Sequence, residues 1–259
     1  FAPCAPGNSA DTQSRMQRGL YSAATGMSVA ERWMDVISHN LANASTTAFK
    51  RDVMVFNEGF ERLLANSGGE GESIGRLGAG PEVKGVFTVW EMGGIAPTGN
   101  DFDVALATEN GMFQVRSGNG SVSFTRDGAW ALSPERTLVT KNGSEVLDAE
   151  GQPITIPPGQ MIIGRDGVVE VNGQRVGQIA VFTGAFSKNG NGEYASNNAV
   201  AMTPDTVQIQ QRFIESSNVN AIEEMISMIK LNRAFEMAQR SAQSQDESTG
   251  RLIQILQGR

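Results

Sequence analysis

A handful of positions carry side chains at spacings that chemistry could use, and each has a plainer reading beside the catalytic one. His39 is the only histidine, and it lies at the end of an apolar helical stripe. A nucleophilic triad would need a serine or thiol beside it. The chain has no Gly-x-Ser-x-Gly turn, and its single cysteine, Cys4, lies ahead of Met16, outside the patterned region. His39 therefore reads as a capping or packing residue near a helix end. Asp101 and Asp103 stand two apart in DFDVA. On a strand they would share a face, as paired carboxylates do in acid–base catalysis, but a solvated edge or turn contact accounts for them with less. The glycine-rich LGAGPEVKG precedes no helical pattern, so it is not read as a phosphate cradle. Lys50 and Arg51, beside Phe49, could touch an anionic partner; a solvated helix end is the default reading. There is no Walker loop and no His-Glu-x-x-His. No catalytic residue, cofactor or metal ligand is expected.

Composition agrees. A net charge of −7 argues against a nucleic-acid binder, which needs clustered lysine and arginine. No apolar run reaches the roughly 18 residues of a membrane-spanning helix. One cysteine excludes an internal disulfide framework and a multi-cysteine zinc site, and suits a protein that crosses compartments unfolded. Thirty glycines in 259 residues favour a turn-rich fold.

The elements that position these residues follow from periodicity. Residues 1–15 are expected to be a disordered extension or an upstream scar, with Met16 as the initiator; they lack the basic and apolar regions of a signal peptide. Residues 16–48 should form an N-terminal helix. Leu20, Ala23, Met27, Ala30, Met34, Ile37 and Leu41 recur at steps of three and four, the seam of a helix packed along its length against others. At about 1.5 Å per residue the helix would run about 35 Å. NASTT then breaks it, because Asn, Ser and Thr side chains compete for backbone hydrogen bonds. Residues 49–84 read as a connecting segment: VMVFNEGFERLL as a short strand or helix, ANSGGEGESIGRLGAG as a flexible linker.

From 85 to 205 the period is two, with turn pairs such as Asn119-Gly120, Asn142-Gly143 and Asn172-Gly173 between short apolar runs, the pattern of an antiparallel β-rich domain. TRDGAW at 125–130 recurs as GRDGVV at 164–169, a hint of related hairpins. Residues 206–259 are assigned to a C-terminal helical segment whose helix covers roughly 221–256, opened by capping Ser217, Asn218 or Asn220 and by Glu223 and Glu224 in its first turn. It carries one stripe of Val219, Ile222, Ile226 and Ile229 and another of Met228, Leu231, Phe235, Ala238, Ala242, Leu252 and Leu256. The fold class is α+β: terminal helices that pair as a coiled-coil-like domain around a central antiparallel β-rich domain. The stripes alone fit an ordinary core as well as an assembly. Their placement at opposite ends of the chain favours assembly, since two helices leave apolar surface uncovered.

The segment RGLYSAATGMSVAERWMDVISHNLANASTTAFKRD resembles the N-terminal signature of bacterial flagellar rod and hook proteins. That pattern, an apolar helix closed by Asn-x-x-Asn-x-x-Thr-x-Gly-Phe-Lys, maps onto Asn40, Asn43, Thr46, Ala48, Phe49 and Lys50, with Ala48 in place of the glycine. The end, ESSNVNAIEEMISMIKLNRAFEMAQRSAQSQDESTGRLIQIL, resembles the C-terminal signature of the same family, and TGNDFDVALATENGMFQV with FTRDGAW is similar to its first β-strands.

The resemblance implies a structural, non-enzymatic subunit of the basal-body rod. Such a subunit polymerises through its terminal helices into the tubular drive shaft that transmits torque. It implies other copies and other rod or hook subunits as partners, with no nucleic acid and no membrane insertion, and export without a cleaved signal peptide through the flagellar type III apparatus. The expected assembly interface comprises the seam of the first helix and the stripes of the second, apart from Met228 and Ala242, together with Asn40, Asn43 and Phe49. Asn40 and Asn43 should satisfy backbone groups where the chain leaves the helix. Leu41 and Phe49 should pack on the C-terminal helix or a neighbouring subunit. FEMAQ and DESTGRLIQIL lean toward the proximal-rod type over the distal. The competing function is a soluble β-sandwich binding module with helical arms, which a dominant polar-lined pocket would favour.

Overall fold

The structure, a computed structural model, describes residues 9–57, 61–63, 76–78 and 82–257, with side chains for 24–56, 83–248, 250–251 and 254. The chain divides into two compact units. The first comprises Phe1–Leu41, Asp52–Phe87 and Ala221–Arg259; the second comprises Ala42–Arg51 and Thr88–Asn220.

The first unit is built on two long helices, α1 (Ser9–Ala42) and α2 (Ala221–Gln257). Neither contains proline, and both carry apolar residues at three- and four-residue steps. Glu223 and Glu224 lie in the first turn of α2, where the exposed N–H groups favour negative charge. Ala30, Ile37 and Leu231 are buried together, with Met34, Met228 and Phe235 packed around them. Beside the helices runs an antiparallel ribbon of Asp52–Asn57 and Glu82–Thr88. Of VMVFNEGFERLL, read as a short strand or helix, residues 53–57 and Glu61–Leu63 are strand, and 58–60 and 64 lie outside the described residues. Glu61–Leu63 pairs with Arg76–Gly78. The other linker residues, 64–75 and 79–81, lie outside the described residues, as do residues 1–8 and Cys4 among them.

The second unit is an antiparallel β structure. Its largest sheet joins nine short strands, with Met112–Arg116 at its centre, pairing with Val122–Thr125, Glu145–Val146 and Val181–Thr183. A three-stranded sheet of Met161–Ile163, Val168–Val171 and Gln174–Gln178 stands apart from it in strand order. Between its last two strands Asn172 and Gly173 both take positive φ, 52° and 77°, the conformation of a tight hairpin turn that Asn-Gly adopts at low cost. Apolar side chains from these two sheets, including Phe113, Trp130, Leu138 and Val169, close the main core together with Val104 and Ile209, and Met112, Phe124 and Tyr194 form a smaller second cluster.

Two boundaries depart from the sequence reading. The helix expected over 16–48 starts at Ser9 and ends at Ala42, and 43–48 is a series of turns. Residues 206–220, assigned to the C-terminal helical segment, are not helical: Pro204–Thr206 is a single 3-10 turn, and Ile209–Gln211 and Phe213–Glu215 are strands paired with Val104–Leu106 and Ile95–Pro97. The reason is legible afterwards. Val207, Ile209 and Glu215 are buried while Gln208, Gln210 and Arg212 are exposed, a period of two that ends where Asn220 precedes α2. The two Arg-Asp-Gly turns also differ, for Arg126 is buried and Arg165 exposed.

Candidate functional site

In the first unit the two stripes of α2 have different surroundings. Leu231 is 8% exposed and faces Ala30 and Ile37 of α1, with Met228 and Phe235 on the same side. Ile222, Met225, Ile226 and Ile229 are 69%, 48%, 46% and 53% exposed. They fall at intervals of three and four residues, so one face of the first turns of α2 is a row of exposed apolar side chains. Of the residues expected at the assembly interface, Ala30, Ile37, Asn40 and Leu231 are buried. Met27, Met34, Leu41, Asn43, Phe49, Val219, Phe235 and Ala238 are half-buried. Ile222, Ile226 and Ile229 are exposed. The side chains of Leu20, Ala23, Leu252 and Leu256 lie outside the described residues. Trp33, from α1, meets Phe56 of the ribbon with ring centroids 5.3 Å apart, beside an apolar groove of about 360 Å³ that Gly26, Val29, Leu231 and Phe235 also line.

Asn40 is 1% exposed at the last turn of α1. Its amide reads both backbone groups of one residue: Nδ2 donates to the Asp52 carbonyl at 2.8 Å, and Oδ1 accepts the Asp52 N–H at 2.9 Å. Nδ2 also reaches Glu224 Oε1 of α2 at 3.3 Å. One asparagine thereby fixes where the returning chain begins its strand and ties that point to the start of α2. Asn43 acts locally instead. Its Oδ1 accepts the Thr46 hydroxyl at 3.1 Å, and its carbonyl accepts the Thr46 N–H, closing the turn after the helix. His39 is exposed at the helix end, with Nδ1 3.8 Å from Asp52 Oδ2.

In the second unit the residues after that turn lie against the strand that precedes α2. Ala48 N–H donates to the Glu215 carbonyl at 2.8 Å, and Asn218 N–H to the Phe49 carbonyl at 3.2 Å. Asn218 is the hub of this crossing. Its Oδ1 accepts the Arg51 N–H at 2.7 Å, and its Nδ2 donates to the carbonyls of Val89 and Glu91, each at 3.0 Å. Ala48 holds φ 55°, so the left-handed turn that usually calls for glycine is made here by alanine, with its methyl buried. Lys188 Nζ lies 4.5 Å from the centre of the Phe49 ring.

Lys50 corrects the reading of a solvated basic spot. It is 2% exposed, and its Nζ bonds Glu215 Oε1 at 2.6 Å and the Glu91 carbonyl at 2.8 Å. Arg126 Nε donates to the other oxygen, Glu215 Oε2, at 2.6 Å, and its terminal nitrogens donate to the carbonyls of Gly111 and Leu106. Gly93 N–H also donates to Glu215 Oε1, and a Cβ at Gly93 would stand 1.9 Å from the Ser216 carbonyl oxygen, so glycine is required there. One buried carboxylate thus joins four stretches of chain. Burial alone would raise the Glu215 pKa; the Arg126 charge and the bonds from Lys50 and Arg126 outweigh it and hold the carboxyl below its usual range. Burial pulls the Lys50 ammonium down, opposed by its bond to Glu215. Glu215 and Arg126 escaped the sequence reading, although Glu215 stands at an inward position of the 207–215 alternation.

The catalytic alternatives dissolve into local structure. Asp101 pairs with exposed Arg212 at 2.7 Å, and Asp103 accepts from Asn100 within a turn. Among the described residues no group of acidic, histidine or cysteine side chains is placed to hold a metal. No helix there is long and apolar enough to cross a membrane.

Comparison with known proteins meets this geometry at both helices and at the sheet. Residues 20–50 match the family "Flagella basal body rod protein", 108–171 the "Flagellar hook protein FlgE/F/G D1 domain", and 210–255 the "Flagellar basal body rod FlgEFG protein C-terminal". The flagellar basal-body rod protein FlgF of Caulobacter vibrioides is 34% identical over 236 residues, covering 85% of this chain and 90% of that protein. This chain belongs to the flagellar basal-body rod protein family. Rod protein FlgG of Buchnera aphidicola is 32% identical, covering 91% of this chain and 98% of its own length, and that of Bacillus subtilis 30%, covering 93% and 99%. The rod protein described here is accordingly a structural subunit of the basal body, not an enzyme, and its family implies assembly with other flagellar rod and hook subunits. The 210–255 match spans the Glu215 strand, Asn218 and most of α2, and the 20–50 match runs through the helix exit to Lys50.

Proposed function

We propose that this rod protein polymerises through its terminal helices into the tubular shaft that carries torque, with α1 and α2 pairing in coiled-coil fashion inside each subunit. The observation that carries the reading is the division of α2 into two faces. Leu231, Met228 and Phe235 turn to α1, whereas Ile222, Met225, Ile226 and Ile229 are each about half exposed or more among the described residues. A single-chain protein gains nothing from a bare aliphatic row on its longest helix; a polymer places a neighbour there. Head-to-tail contacts repeated by a screw operation generate a tube. The partners are other copies of the chain and the adjoining rod or hook subunits. Delivery goes through the flagellar type III export apparatus without a cleaved signal peptide, in keeping with a chain that holds one cysteine and no disulfide. FEMAQ and DESTGRLIQIL favour the proximal-rod type.

The test is sedimentation velocity of the purified chain over a concentration series, beside Ile226→Asp and Ile229→Asp. The parent should form larger species as concentration rises, and the variants should stay monomeric with an unchanged circular dichroism spectrum. Variants that assemble like the parent would overturn the assignment of this face.

A further inference from the structure

The aliphatic row of α2 holds sulfur as well as carbon. Met225 and Met237 are 48% and 65% exposed and Met92, in the β unit, is 41%, whereas Met112 and Met161 are 1% and 4%. At 100° per residue, Met225 lies on one edge of the face, about 40° beyond Ile229, and Met237 on the other, about 20° beyond Ile226 and eleven residues on. A thioether on such a face is soft and apolar, and fits any hydrophobic cover. Its sulfoxide is a polar group with a strong acceptor oxygen, and disrupts methionine-bearing interfaces.

We propose that Met225 and Met237 are oxidation sites whose state decides whether the outward face of α2 can be covered. The oxidant class is a two-electron peroxide. The sulfur lone pair attacks the outer oxygen of hydrogen peroxide, an S–O bond forms as the O–O bond breaks, and water leaves once protons are redistributed. Sulfur loses two electrons and the peroxide gains them. At Met225 the product places an acceptor beside Ile222 and Ile229, its neighbours at i−3 and i+4, side chains that offer no donor; Met237 takes an acceptor onto the continuation of that face. A neighbour closing over this face would bury that oxygen unpaired. Met112 and Met161 are shielded, so the β unit keeps its core while the face of α2 changes character. This rests on the reading of that face as the one other copies cover.

The experiment treats the dilute full chain with hydrogen peroxide, locates added oxygen by peptide mass spectrometry, and repeats the sedimentation series. Met225 and Met237 should take up oxygen ahead of Met112 and Met161, and the concentration for half-assembly should rise about tenfold or more, as an unpaired buried acceptor implies. A Met225→Leu/Met237→Leu chain should assemble equally before and after peroxide. Oxidised chain that assembles like untreated chain overturns this proposal alone, as does a double variant that loses assembly on treatment. Untreated chain that stays monomeric at every concentration removes the assembly reading, and this proposal with it.

Discussion

Glu215 shows what a single buried charge does in this molecule. Its carboxylate serves two cations, Lys50 and Arg126, each 2.6 Å away. Glu215→Gln leaves both cations buried without an anion, and should cost about 3–5 kcal/mol in urea unfolding of the β unit. Lys50→Met keeps the Arg126–Glu215 pair and should cost distinctly less; equal losses would show that the carboxylate is not the shared element. The pH dependence has a definite sign. A carboxyl held below its unfolded value stabilises fully above that value, near 4.3, and the contribution fades as pH falls through the lower folded value. Acid titration of the parent should therefore steepen below about pH 4, and Glu215→Gln should flatten that slope. Ala48 offers a second test, because φ 55° at a buried site admits glycine or alanine but not a branched side chain. Ala48→Gly should shift stability by less than about 1 kcal/mol, and Ala48→Val should lower it by more than that, in the same urea titration. None of the charge cluster was legible in the sequence. Lys50 sits in a polar run, and its partner is 165 residues away, so nothing local distinguishes it from a solvated lysine. Asn40 was legible in kind: an asparagine closing a helix has backbone to bond, and here it bonds that of Asp52.

The elements were read best where one period ran long. The three–four spacing in α1 and α2 named the helices and separated two stripes on α2, because a stripe's phase is a property of sequence. Which stripe faces α1 is a property of packing, and only the structure supplies it. The strands at 209–215 were missed because each is three residues long, too short for alternation to outweigh the helix that follows. The two faces of α2 give a matched pair of aliphatic truncations two positions apart. Leu231→Ala should destabilise the helical unit by about 2–4 kcal/mol, since it empties the contact with Ala30 and Ile37. Ile229→Ala, at 53% exposure, should fall within about 0.5 kcal/mol of the parent in dilute solution. Thermal unfolding followed at 222 nm by circular dichroism, on the order of micromolar protein, reads both. Comparable losses would mean that the two faces are not distinct in the free subunit.

At the scale of the molecule, both units are sewn from separated stretches of chain: Ala42–Arg51 belongs with Thr88–Asn220, and Phe1–Leu41 with Ala221–Arg259. The alternation of helix, β region and helix was plain from periodicity. The ten-residue stretch after α1, Ala42–Arg51, was not recognised as part of the β unit, because its attachment is made by hydrogen bonds to Glu215 and Asn218 rather than by a pattern of its own. A protease site inserted within residues 64–75 tests this sewing. After cleavage the two pieces should co-elute on gel filtration in native buffer and separate in urea; separation in native buffer would refute it. The same stitching sets a timetable. Lys50 and Arg126 reach their common anion only when residue 215 is in place, so an incomplete chain carries two cations with no counter-charge and a strand with no return partner. Contacts of such span form late and make folding slow. In this design the buried charge cluster is completed only when residue 215 is in place, by the last strand before α2.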